Sequence, residues 1–304
     1  MINIIRYKNT TWIDIIKPTK EDIKYLKDNF KFHPVVLNEI IPPSYFPKVK
    51  NYRSYLFQVF YYPVYNKITR ETDPRELDIL VTKDTLITVH YQTILPLKAL
   101  WDRCNLYDTE KKKYFTQGSG FLLFNLLSKI FDQCLLKLNR IDRRIEFIEK
   151  EIFQGRERKM VEEISIVKRD IIDFYRIIEP QKSIVESLVF EGEKFWGEEI
   201  VPYFSDLLSS FGLIWNQLKN YRETIEALQQ TNDSLLTTKI NDIIKVLTIF
   251  SVIVFPLTLL ASIFGMNTKF LPFVGWPGDF WIILGIMLLG VIVMIIYFRK
   301  RRWI

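Results

Sequence analysis

In the stretch SIFGMNTKF, residues 262 to 270, a long apolar run ends on Gly265, Met266 and Asn267. Residues 246 to 268 carry no charge, and Asn267 is the first amide side chain among them. An amide presents a carbonyl acceptor and an NH2 donor, and a helix that stops leaves its last carbonyl oxygens unbonded. Gly265 lets the chain turn there without a Cβ clash, while Met266 packs the turn. The result is an acceptor-rich rim, the chemistry expected at the mouth of an ion pore. The run leading to it is polar on one side only. Counting about 100° per residue from Asn241, Thr248, Ser251, Thr258 and Ser262 fall within an arc of about 80°. Ile244 and Phe255 share that arc, and Leu247 lies at its border. Hydroxyls and amides gathered on one side belong against protein or water rather than lipid, although small polar residues also serve plain helix packing.

Other chemistries find little support. Cys104 and Cys134 have no companion at ligand spacing, and the only histidines are His33 and His90, so no zinc site of the usual kind is expected. The thiols read as reduced, buried residues. No phosphate loop, nucleophile elbow or dinucleotide fingerprint occurs. No nucleophile, base and orienting group stand in a recognisable arrangement, so an enzyme is not expected. The net charge of +7 comes without a basic stripe interleaved with aromatics, which argues against nucleic acid as a partner.

The elements that must position the rim are two membrane spans. The charged residues, 25% of a 304-residue chain, nearly vanish after residue 245. Spans are expected at about 243 to 264 and 280 to 298, with an outer loop at 265 to 279. Each can cross about 30 Å of hydrocarbon at about 1.5 Å per helical residue. The second, FWIILGIMLLGVIVMIIYF, has no polar face, unlike a buried core helix. Lys239 and Lys245 precede the first span and Arg299, Lys300, Arg301 and Arg302 follow the second, against Lys269 and Asp279 between them. That bias predicts a multi-pass protein of the inner (plasma) membrane with both termini cytoplasmic. The start, MINIIRYKNTTW, has no pattern of a secretory signal.

The rest of the chain predicts an α+β protein. Residues 1 to 115 form a mixed α/β domain with one or two helices. SYLFQVFYYPVY reads as a strand, LDILVTKDTLITVHY as a hairpin around Lys83 and Asp84, and TKEDIKYLKDNF as a helix capped by Thr19. Residues 116 to 242 form a stalk of long helices. Leu127, Phe131, Cys134, Leu138, Ile141, Ile145, Ile148 and Ile152 recur in steps of four and three, the seam of a helix packed along another. Gly155 breaks the seam, and Met160, Ile164, Val167, Ile171, Phe174 and Ile178 restart it antiparallel. Pro180 and the acidic ESLVFEGEKFWGEE close the hairpin; that acidic segment, Glu186 to Glu199, reads as a solvated face before it reads as a cation site. A third seam from Leu207 through Phe211, Ile214, Leu218, Tyr221 and Ile225 to Leu228 predicts one helix from 203 to about 264, on the order of 90 Å long. Residues 243 to 304 complete the transmembrane pore domain.

NDIIKVLTIFSVIVFPLTLLASIFGMN resembles the pore helix of the CorA divalent-cation channels, ending in that family's signature at Gly265, Met266 and Asn267. RKRRWI resembles its basic C-terminus, and HPVVLNEI, FPKVKNY and LDILVTKDTLITV are similar to its cytoplasmic domain. The resemblance covers essentially the whole chain. It implies a funnel-shaped homopentamer in the lipid bilayer that conducts Mg2+ into the cytoplasm, with the first spans lining the pore. Thr258 and Asn241 match its polar rings, and Ile244 and Leu247 its apolar constriction. Asp206, in PYFSD, matches a position where cytoplasmic Mg2+ bridges subunits and closes the channel; alone, an Asp in a helix's first turn is equally a favourable dipole partner. Mg2+ is thus implied as both cargo and regulator.

Two departures stand out: Lys269 replaces the acid that often follows the signature, and Gln230 replaces a pore-facing acid on the lower stalk, with Asp233 and Asp242 nearby. Divalent Co2+, Ni2+ or Zn2+ remain alternative cargoes, since a filter acting through water separates similar hexahydrated ions poorly. A membrane-anchored coiled-coil adaptor or sensor is the alternative of another class.

Overall fold

The computed structural model describes residues 2–44, 46–267, 272, 274–275 and 277–303; Lys269 and its expected influence on cations lie outside them. Two compact units meet between Gln230 and Thr231.

The first unit is built on a six-stranded sheet ordered β1-β2-β6-β5-β4-β3. Its strands are β1 (Ile2–Tyr7), β2 (Thr10–Ile16), β3 (Lys48–Asn51), β4 (Leu56–Asn66), β5 (Glu71–Val81) and β6 (Thr85–His90). All neighbours are antiparallel except β2 and β6, which run parallel. The expected hairpin closes at Lys83 and Asp84, where the Thr82 amide donates to the Thr85 carbonyl at 2.8 Å. One face of the sheet is covered by α1 (Lys20–Asn29) and α2 (Pro34–Ile40), with Leu26, Val36 and Ile40 packed on Ile13, Val59, Leu80 and Val89. Thr19 starts α1 through a reciprocal cap: the Asp22 amide donates to the Thr19 hydroxyl, and the Thr19 amide donates to the Asp22 carboxylate at 2.9 Å.

Two further helices, α3 (Leu95–Leu106) and α4 (Asp108–Phe115), bring the first 115 residues to four helices where one or two were expected. Their mixed composition blunted the period: α3 buries Leu97, Leu100 and Cys104 yet exposes Leu95 and Leu106.

The long helices are α5 (Ser119–Phe153), α6 (Glu157–Ile178), α7 (Lys182–Trp196) and α8 (Val201–Phe264). Every seam residue expected in α5 and α6 is buried, as is each from Leu207 to Leu228 in α8. The acidic segment is not a simple closing connection. It forms α7, because Val185, Leu188, Gly192 and Phe195 make their own inward seam beneath the charges. Gly192 is required there, since a Cβ would sit 2.4 Å from the Phe204 ring. Gln181, between α6 and α7, completes the sheet edge. Strand β3 pairs with β4 only as far as Val59, and beyond it the Gln181 amide accepts from the Tyr61 N–H and donates to the Tyr61 carbonyl, both at 2.9 Å. Asp170 on α6 is buried between the Thr72 hydroxyl at 2.6 Å and the Arg140 guanidinium at 2.9 Å. Burial pushes its carboxyl up, and those two hydrogen-bonded partners pull it back.

The second unit contains the remainder of α8 and α9 (Asp279–Lys300).

Leu138 is wholly buried on α5. Leu138→Ala should cost about 2–5 kcal/mol, read as a lower thermal midpoint of the full-length protein; an unchanged midpoint would mean the seam is not a packed core.

Candidate functional site

The site begins with two helices that have nowhere to hide their apolar surface. An 18-residue window of α8 has mean hydropathy 2.5 and one of α9 has 2.8, and none of either window is buried. Solvent cannot accommodate so much contiguous apolar surface, whereas a bilayer can.

Within this unit α8 has two unlike sides. Ile249, Ile253, Leu257, Leu260 and Phe264 are half-covered and lie together. On α9 the half-covered or buried residues Ile283, Leu284, Met287, Val291, Met294 and Phe298 also share one side, the pattern of two helices packed side by side. The polar arc of α8 lies opposite its covered side. Asn241, Ile244, Leu247, Phe255, Thr258 and Ser262 are exposed there, with Thr248 and Ser251 half-covered. The hydroxyls of Thr248, Ser251 and Thr258 donate to the carbonyls of Ile244, Leu247 and Val254 at 2.8, 2.9 and 3.0 Å. Each donor is thus spent inside the helix, and the oxygen lone pairs face outward as acceptors. Pro256, inside the helix, has no N–H for the Val252 carbonyl, which adds one more free acceptor.

The tripeptide follows directly. The Gly265 amide donates to the Ala261 carbonyl at 2.9 Å and the Met266 amide to the Ile263 carbonyl at 3.2 Å, after which Asn267 is exposed. Gly265 is not among the glycines with positive φ, so what it supplies is the absent Cβ. Its role is close approach: a Cβ would lie 3.1 Å from the Ala261 oxygen. Met266 is 56% exposed, leaving it free to pack against another chain. Asp279 is already engaged, accepting from the Gly275 amide at 3.1 Å and the Phe280 amide at 2.7 Å, so it organises the turn before α9. At the other end of this unit, Lys245 donates to the Arg302 carbonyl at 3.2 Å, and Trp303 stacks on Phe298 beside the basic run.

Asp206 is exposed and, among the described residues, makes no ion pair. It lies beyond the first turn of α8, which begins at Val201 and carries no acid there, so the dipole reading does not hold. Of the acidic segment, Glu191 is committed to Asn51 at 2.7 Å and Lys194 at 3.4 Å. Gln230, Asp233 and Asp242 are exposed. Among the described residues no three His, Cys, Asp or Glu side chains gather as a metal site. Cys104 and Cys134 are buried and free, and burial pushes both thiols up to about 12, which leaves them protonated. Nothing in the sequence marks the wholly buried Asp78 and its neighbour Glu76, because Glu76-Leu77-Asp78-Ile79 alternates as a strand with a solvated polar face does.

Residues 7–300 match the family model of the CorA-like Mg2+ transporter protein. The cobalt/magnesium transport protein CorA of Thermotoga maritima is 27% identical over 97% of this chain and 83% of its own length. Its namesake from Methanocaldococcus jannaschii is 24% identical over 96% and 91%. The complete structure of the CorA magnesium transporter from M. jannaschii superposes with a TM-score of 0.84 at 22% identity, covering 99% of this chain and 94% of that one.

Because the polar arc and the covered side are opposed, cysteines placed at Thr258 and Ser262 should react quickly with a charged thiol reagent in membranes. Cysteines at Leu257 and Leu260 should not, and equal rates would remove the sidedness.

Proposed function

The chain belongs to the CorA-like Mg2+ transporter family, and from that premise we propose that it is a homopentameric channel of the inner (plasma) membrane, both termini cytoplasmic, that carries hydrated Mg2+ into the cell. The observation that carries this reading is the exposed polar arc of α8, opposite its covered side and ending at Asn267. A helix that served only as a tether would need no acceptor-lined face. The working parts are a cytoplasmic α/β domain at 1–115, a stalk at 116–242 and a pore domain at 243–304.

Mg2+ holds an octahedron of oxygens at about 2.0–2.1 Å and loses water reluctantly. A ring that binds the water shell avoids that loss. In the pentamer, one Asn267 amide from each subunit accepts hydrogen bonds from the ion's water at the outer rim, and Gly265 and Met266 shape the turn that holds it. Below the rim, Ser262, Thr258 and Ser251 offer lone pairs because their own protons have gone to the helix, as those of Thr258 and Ser251 do here. Thr248 and Asn241 continue the polar side, with Phe255 between the rings. Ile244 and Leu247 narrow the path with apolar surface and close it by dewetting. Inward movement needs no nucleotide: membrane potential supplies about 2.3 kcal/mol per charge per 100 mV, hence about 4.6 kcal/mol for a divalent ion.

Closure follows internal Mg2+, which bridges Asp206 to a neighbouring subunit. Co2+ and Ni2+ are further cargoes, since hexahydrated ions of similar size present the same shell; two relatives carry cobalt as well as magnesium in their names.

Asn267→Ala should abolish Mg2+ uptake while leaving the oligomer intact by native mass spectrometry; normal uptake would sink the rim assignment. Leu247→Asn should raise resting leak current in planar bilayers, and unchanged conductance would place the gate elsewhere. Flux should fall as internal Mg2+ rises, and Asp206→Asn should weaken that fall without lowering the maximal rate.

A further inference from the structure

Asp78 is 0% exposed, and neither carboxyl oxygen meets a hydroxyl, amide or cationic donor. It sits on β5 two residues from Glu76, so the two carboxyls project from the same face of the sheet. Two carboxyls side by side in a buried site do not both ionise without a cation beside them, so one holds a proton. Register fixes the surroundings: Asp78 stands between Val59 and Val89, and Glu76 stands opposite Tyr61. This is the face covered by α2.

Among the described residues, the cations nearest the pair are already paired. From β3, Lys48 is held by Glu39 of α2 at 2.9 Å, and Lys50 also reaches Glu39, at 3.4 Å. Tyr61 of β4 donates to the Ser44 carbonyl, and Tyr91, just past β6, donates to the Ile40 carbonyl. Tyr25 of α1 and Tyr52 pack at the rim of this core. Burial, with the nearby carboxyls adding to it, holds both Tyr61 and Tyr91 well above the usual phenol range, so they remain donors. The Ser44 amide donates to Glu76 Oε1 at 2.8 Å. Every one of these bonds ties the end of α2 and Ile41–Ser44 down over the pair.

We propose that Glu76 and Asp78 share a single proton, and that this proton latches α2 and Ile41–Ser44 onto the sheet. Loss of the proton leaves two carboxylates on one face in a buried site, which disfavours the closed arrangement. Opening α2 toward water relieves both the repulsion and the burial. Burial first, and then the Glu76 carboxyl, push Asp78 well above the usual carboxylate range; burial also raises Glu76. The closed state therefore binds the proton more tightly than the open one. Its extra stability is complete below the ordinary Asp range and is lost as pH rises through the raised value. This device is independent of the channel reading.

Hydrogen exchange of the peptide covering α2 through Ser44, measured on the full-length protein in EDTA from about pH 6 to pH 9 and corrected for intrinsic rates, tests it. The opening constant should climb by up to about tenfold per pH unit while the closed pair keeps its proton and the opened pair has lost it, and should level off once the closed pair ionises too. Asp78→Asn keeps the shape and can donate to Glu76, and Glu76→Gln can donate to Asp78, so each should flatten the climb while peptides from α6 stay unchanged. A flat wild-type profile, or the wild-type slope persisting in either folded variant, would overturn the shared proton.

Discussion

A hydrocarbon layer accepts a polypeptide only if each N–H and C=O is bonded within the segment that crosses it. That constraint sorts the residues of α8 and α9. Both cross as helices, their lipid-facing sides apolar, and the hydroxyls of Thr248, Ser251 and Thr258 return their protons to the helix. Where the ladder fails, at Pro256 and after Phe264, the exposed acceptors lie within or just beyond the apolar run of α8. Lipid cannot satisfy those acceptors, whereas water around an ion can. The rule that makes the spans possible thus also leaves these acceptors open to water.

The first unit solves a different problem, ordering long helices against a sheet in water. Its seams bury aliphatic and aromatic residues, and its polar contacts are placed where a backbone or charge would otherwise be unpaired. Gln181 stands in for a missing strand at Tyr61. Asp170 is buried only because Thr72 and Arg140 meet it. The close approach of Gly192 to Phe204 shows how tightly α7 packs on α8.

Much of the fold is written in the sequence as period. The steps of four and three in α5, α6 and α8 survive because each seam is a long run of large apolar residues against a charged background. The two spans are plain from the loss of charge, and the family from the tripeptide at the end of the first. Helix α7 was obscured because five of its fifteen residues are charged and one inward position is glycine, which hydrophobic patterning does not count. Asp206 was placed one turn too early because the start of α8 depends on the turn after α7, not on Pro202. Asp78 gave no signal at all, since Glu76 and Asp78 read as a solvated strand face and their burial depends on α2 folding over it. The single chain reveals the polar side of α8, while the proposed ring of Asn267 amides would form only between copies and so is written in no one chain.

The central claim is that hydrated Mg2+ passes along the polar side of α8, driven by potential. Its most direct test is ion flux into liposomes that contain only the purified protein, a Mg2+-sensitive dye inside, and an imposed potassium diffusion potential. The account predicts Mg2+ influx that grows as the interior is made more negative and is absent from protein-free vesicles. Folded, inserted protein that passes no Mg2+ at any potential would contradict it and leave the spans as tethers.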